Sequence, residues 1–146
     1  MKDTELLQRI RCKAHAVCSL NVRADDIREL SCELYHASLR EEVREYRGSA
    51  GRGAFAWFTD NCGSLVTKGR FSQYTTYGRW VDAAERLHNP DLVASEFEAR
   101  TLQRAFNRTE IKSPLNFLST MTRADVVALV QAAVKRAKGR PPRQLR

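Results

Sequence analysis

The sequence has no apolar run long enough to cross a bilayer, and its first residues, MKDTELLQRIRCK, are charged throughout. These two absences predict a cytoplasmic chain with neither a membrane span nor a secretory signal. Histidine is scarce, with only His15, His36 and His88, and none has a serine or carboxylate at a spacing that points to catalysis. No pair of carboxylates stands in an apolar stretch where a raised pKa would be expected. The glycine-rich GSAGRG, residues 48–53, lacks the flanking strand and the Lys-Ser/Thr of a phosphate loop. The residues therefore predict a protein that is not an enzyme and has no cofactor.

Cysteine is also too sparse for a disulfide scaffold: there are four, at positions 12, 18, 32 and 62. Cys12 with His15, and Cys32 with His36, stand at i,i+3 and i,i+4. Each pair would share one helical face, and two such faces could make a tetrahedral zinc site. Such pairs arise readily by chance, however, and structural zinc ligands usually sit on knuckles or turns. Cysteine is also at ease in an apolar interior. The expectation is metal-free core thiols.

What the chain does have is charge, unevenly spread. Its net charge is +8, within 146 residues that are 42% hydrophobic and 29% charged, an ordinary globular composition. Residues 1–47 carry nine basic and nine acidic side chains, whereas the last twelve, KRAKGRPPRQLR, carry six basic and no acidic ones. A near-neutral body with a cationic end predicts an anionic partner engaged from that end.

Hydrophobic periodicity predicts an all-α fold of about six helices, a single domain over residues 1–138, with a basic Gly/Pro-containing tail over 139–146. Helices are expected over 3–18 and 24–47, forming an antiparallel hairpin, and over 54–62. Another is expected from Ser72, as its N-cap, to Leu87, with Tyr77, Trp80, Val81, Ala84 and Leu87 inward. Residues 91–107 should place Leu92, Val93, Phe97, Leu102 and Phe106 on one face. Ser113-Pro114 and the capping box Thr122–Asp125 mark further starts. Residues 48–80 hold six of the seven glycines and seven of the twelve aromatics, with Arg52, Lys68, Arg70 and Arg79 against one acid, Asp60.

Two stretches carry resemblances. GRFSQYTTYGRWVDAAE, from Gly69, resembles the second half of a helix-turn-helix and the S-x-x-T-A…A-E helix of certain small phage- and plasmid-borne proteins. It departs in Gly78, which costs about 1 kcal/mol relative to alanine mid-helix, and in a gap of about ten residues back to the preceding helix, against the usual three or four. The resemblance implies that Ser72, Gln73, Tyr74, Thr76 and Arg79 face a major groove or its phosphates. The same aromatic–basic mixture allows unpaired bases to stack on Phe71, Tyr74 or Tyr77 beside Arg70 and Arg79. The alternative is a core helix with its arginines in water.

KRAKGRPPR resembles the AT-hook, whose core is R-G-R-P. Lys138, Gly139, Arg140 and Pro141 take the core positions, with lysine replacing the first arginine, and Lys135, Arg136 and Arg143 flank them. The resemblance implies weak contact with the DNA minor groove, where an arginine enters the negative potential of A·T tracts. The combined expectation is a small nucleic-acid-binding protein of bacterial or phage type, binding DNA over RNA. The rival is an interaction module, such as an adaptor or a phage-type inhibitor of a host enzyme, whose tail docks an acidic protein.

Overall fold

Helix α5 (Lys68–Arg86) runs through both halves of the hydrophobic core. The computed structural model describes residues 3–18 and 23–139. Before α5 come α1 (Asp3–Val17), α2 (Ala24–Ser38) and α3 (Glu41–Arg44), the strands β1 (Arg47–Gly48) and β2 (Gly51–Arg52), and α4 (Ala54–Cys62). After it come a 3-10 turn (Pro90–Leu92), α6 (Glu96–Asn107), α7 (Pro114–Leu118) and α8 (Arg123–Lys138). The fold is all-α, with eight α-helices among the described residues where six were expected, and one very short antiparallel hairpin. No helix among the described residues is long and apolar enough to cross a membrane.

The first half of the core gathers Leu6 and Ile10 of α1, Leu30 and Leu34 of α2, and Phe58 of α4 around Phe71 and Tyr74 of α5. The second half gathers Leu92, Leu102, Leu118 and Val126 around Tyr77, Trp80, Val81 and Ala84. As the sequence predicts, α1 and α2 pair antiparallel, with Arg9 hydrogen-bonded to Glu33 at 3.1 Å and Lys13 ion-paired with Glu29 at 3.6 Å. Trp80 is fully buried, and its ring meets Phe106 and Phe117 edge-on, each centroid 5.6 Å away. Its indole Nε1 donates to Gln103 Oε1 at 2.9 Å, so the tryptophan is buried without an unsatisfied donor.

Three boundaries differ from expectation. The long helix over 24–47 is two, because α2 stops at Ser38, whose hydroxyl donates to the Tyr35 carbonyl, and Arg40 is extended before α3. The break turns Val43 inward and leaves Leu39 half exposed. Helix α5 starts at Lys68, because the Thr67 hydroxyl accepts from Arg70 N at 3.2 Å; Ser72 lies inside the helix and caps nothing. Leu92 and Val93 are buried from the 3-10 turn and the residue after it, while α6 begins at Glu96 on the Ser95 cap. Phe97 is correspondingly 45% exposed beneath the Arg100 guanidinium. The Ser113 cap and the Thr122–Asp125 box form as expected.

Candidate nucleic-acid interface

Helices α6 and α8 lie side by side and point the same way. At their starts, Arg123 of α8 donates to both oxygens of Glu98 on α6, at 2.6 and 2.8 Å, and to the Leu92 carbonyl at 3.1 Å. Glu98 Oε1 also accepts from Ala94 N at 2.8 Å. The Arg123 hydrogen bonds, foremost, hold the Glu98 carboxyl below the ordinary carboxylate pKa. At their ends the helices leave a groove of about 370 Å³. One wall is Thr101, Arg104, Ala105 and Arg108, a stripe at i, i+3, i+4 and i+7 of α6; the other is Leu129, Ala133, Arg136 and Ala137 of α8. Three alanines are too small to fill the space, which makes a shallow apolar floor with three guanidiniums along its edges.

Cations at helix C-termini have a bland explanation, since each terminus carries about half a negative charge that they offset. Two adjacent termini account for about one charge. Five cations stand at these ends, Arg104, Lys135, Arg136 and Lys138 in the last turns and Arg108 at the α6 C-cap, so most of the positive charge is left over. None of the five has an ion pair among the described residues. Arg100, one turn before Arg104, is different: it is ion-paired with Glu96 at 2.8 Å, though the two are not aligned for a hydrogen bond.

The residues singled out from the sequence separate into two groups. Lys135, Arg136 and Lys138 are exposed on the last turn of α8, with Arg136 in the groove wall. Gly139 follows directly, its N–H donating to the Lys135 carbonyl at 3.0 Å. Arg140, Pro141 and Arg143 lie outside the described residues. The α5 set fares differently. Arg70 and Ser72 are exposed near the helix start, where Arg70 reaches the half-buried Gln73 at 3.3 Å. Tyr74 is only 7% exposed in the first core, and Thr76 and Arg79 are half-buried. Phe71 and Tyr77 are buried as well, which corrects the expectation that these aromatics could stack on bases. Arg79 lies over the Phe106 ring at 5.5 Å. With both core halves packed on it, α5 exposes its two ends, around residues 68–72 and at Glu85 and Arg86, and only half-buried side chains between them.

Cys12, His15 and His36 are exposed and Cys32 is half-buried; among the described residues no three potential metal ligands come together. His36 Nε2 instead lies 3.0 Å from Asp82 Oδ1 of α5. Only Cys62 is a buried thiol, so the expectation of core thiols holds for one cysteine and partly for Cys32, which burial, foremost, pushes up to about 11.

Sequence reasoning missed Arg104 and Arg108. Their signal was present as arginine at 100, 104 and 108, a like-charge i,i+4 run that destabilises a helix by a few tenths of a kcal/mol. Comparison with known proteins returns no matching family model, no matching curated protein and no matching solved structure.

Proposed function

We propose that this protein binds nucleic acid, DNA in preference to RNA, through the α6–α8 groove and the basic segment continuing from it, and that it acts by binding, not by turnover. The observation that carries this reading is the placement of Arg104, Arg108 and Arg136, with no ion pair among the described residues, on a groove at the end of α8, the helix that precedes the cationic tail in sequence. Guanidiniums suit phosphates because their planar forks donate two parallel hydrogen bonds. In this reading the groove takes the backbone of one strand, and the AT-hook-like residues Lys138 to Pro141 follow the adjacent minor groove. Each phosphate neutralised releases counterions, which makes affinity fall with salt.

A second reading is favoured by the apolar floor of Ala105, Leu129, Ala133 and Ala137. A phosphate strand has no use for such a floor, whereas an acidic peptide with apolar side chains would cover it.

The test is fluorescence anisotropy with double-stranded DNA, single-stranded DNA and RNA across a salt series. The proteins compared are the parent, an R104A/R108A/R136A variant and a truncation of residues 139–146. Removing three phosphate contacts should flatten the log–log salt slope by about 3, with melting temperature nearly unchanged. Equal affinity and slope in parent and triple variant sinks the groove. Binding of a mixed acidic–apolar peptide, with no nucleic acid bound even at low salt, selects the second reading.

A further inference from the structure

The β1–β2 hairpin holds two arginines directly opposite one another. Its register pairs Arg47 with Arg52 and Gly48 with Gly51. Side chains opposite each other across an antiparallel pair share a face, and like charges there are destabilising. A two-residue ladder has little stability of its own, so something else must hold this arrangement. That role falls to Asp60 of α4. Its Oδ2 accepts from the Tyr46 hydroxyl at 2.8 Å and its Oδ1 from Ala50 N at 3.0 Å, while Gly53 N donates to the Tyr46 carbonyl at 2.9 Å. Gly48 sits flush on this clamp: a Cβ there would collide with Asp60 and come 2.7 Å from Tyr46 Cζ. The bond to Asp60, foremost, raises the Tyr46 phenol above its ordinary pKa and keeps it a donor.

The clamp thus turns both oxygens of the Asp60 carboxylate toward neutral donors, and among the described residues Asp60 makes no ion pair with the arginines, although its negative charge stays beside the hairpin. Arg44, in the last turn of α3, joins Arg47 and Arg52 around a cleft of about 470 Å³ whose other lining residues are Glu45 and Tyr46. No ion pair is made by any of the three arginines among the described residues. Three guanidiniums line the cleft with one carboxylate, Glu45, and even with Asp60 behind the hairpin counted, positive charge is in excess by one.

We propose that Arg44, Arg47 and Arg52 form a phosphate-binding site, separate from the α6–α8 groove, taking either a free phosphate ester or one phosphate of a nucleic-acid backbone. The two sources share the tetrahedral oxyanion that forked donors recognise. The site does not depend on the groove reading.

The probe is inorganic phosphate against sodium chloride at matched ionic strength, read by thermal melting of the full chain and of an R47T/R52T variant. Threonine suits a strand and removes the repulsion, so the variant should melt no lower than the parent without phosphate. Phosphate at about ten times its Kd should raise the parent's midpoint by about 3–6 °C relative to chloride. The variant should lose that rise, and it also controls for phosphate's general salting-out effect. An equal rise in both proteins, or none in the parent up to about 100 mM phosphate, overturns the site. The source is read with DNA. A salt slope shallower by about 1–2 in R47T/R52T assigns a backbone phosphate, and unchanged DNA binding assigns a free ester. The R104A/R108A/R136A protein should keep the phosphate response, so failure of the groove and failure of this site are separable.

Discussion

Gly78 of α5 lies against the backbone of Ser31 on α2, so closely that a side-chain carbon on it would overlap the Ser31 carbonyl and come 2.7 Å from Tyr35 Cβ. The glycine that weakens α5 as a helix is what lets α2 reach it. Gly78→Ala should gain about 1 kcal/mol of helix propensity but lose more, since a backbone carbonyl cannot swing aside. The net expectation is a loss of about 1–3 kcal/mol in urea denaturation. A variant more stable than the parent would mean that the two helices do not approach so closely.

Beside this contact the Ser31 hydroxyl is completely buried, with no hydrogen-bond partner among the described residues. A buried, unsatisfied oxygen costs about 1–3 kcal/mol of desolvation. Ser31→Ala should therefore stabilise the protein, or at worst leave it unchanged, in the same denaturation experiment. A clear loss of stability would show that the hydroxyl has a partner.

Most of the fold was legible in the sequence because its helices are amphipathic and capped by their own residues. Ser113 and Thr122 accept from the backbone N–H groups three residues on, as any reader of the sequence would place them. What was not legible depends on tertiary contact. Thr67 could be recognised as the α5 cap only if Gly69 were known not to break the helix. The inward turn of Val43 depends on a break after Ser38 that no glycine or proline marks. The groove was harder still, since Arg104 and Arg136 are thirty-two positions apart in sequence. Only the parallel seating of α6 on α8 brings them to one place.

Trp80 and Arg79 are neighbours in sequence with opposite consequences. Trp80→Ala removes a fully buried ring, two edge-on aromatic contacts and the bond to Gln103, and should cost about 3–5 kcal/mol. Arg79→Ala removes a guanidinium stacked on Phe106 at 5.5 Å, and should cost about 0.5–1 kcal/mol. Since Arg79 is half-buried over Phe106 and apart from the groove, Arg79→Ala should, on the reading proposed above, leave nucleic-acid affinity unchanged. A loss of affinity larger than the loss of stability would return α5 to the interface.

The four thiols should separate by reactivity with an aromatic disulfide at pH 8. Cys12 and Cys18 are exposed, although the Cys18 thiol donates to the Leu65 carbonyl at 3.3 Å. Cys32 has its pKa pushed up to about 11, by burial first and by Glu85 next, so little thiolate is present. The buried Cys62 thiol is raised as well, again chiefly by burial. Two thiols should react rapidly in the folded protein and two only after unfolding. Four rapid equivalents would contradict the packing around Cys62.

Acid should release the α6–α8 pair through Glu98. Its pKa is held below the ordinary 4.5, with the Arg123 hydrogen bonds as the leading cause. A carboxyl with a depressed folded pKa contributes stability that is fully present above its unfolded pKa. That contribution is lost as pH falls through the folded value. Glu98 therefore adds no pH dependence between about 5.5 and 8, and a loss of stability below about 4.5. Other carboxylates titrate in the same range, so the measurement is a difference: urea midpoints of parent and Glu98→Gln from pH 6 down to 3. The parent should be the more stable at pH 6, with the gap narrowing as Glu98 protonates. Because the pair fastens the starts of the helices whose ends carry Arg104, Arg108 and Arg136, the proposed groove reading further expects Glu98→Gln to weaken DNA binding at pH 7 while leaving its salt slope unchanged. On that reading no phosphate contact is removed, only the alignment of those that remain. A constant gap at every pH would mean that the ionised pair contributes nothing, and a changed slope that Glu98 acts on the bound phosphates through its own charge.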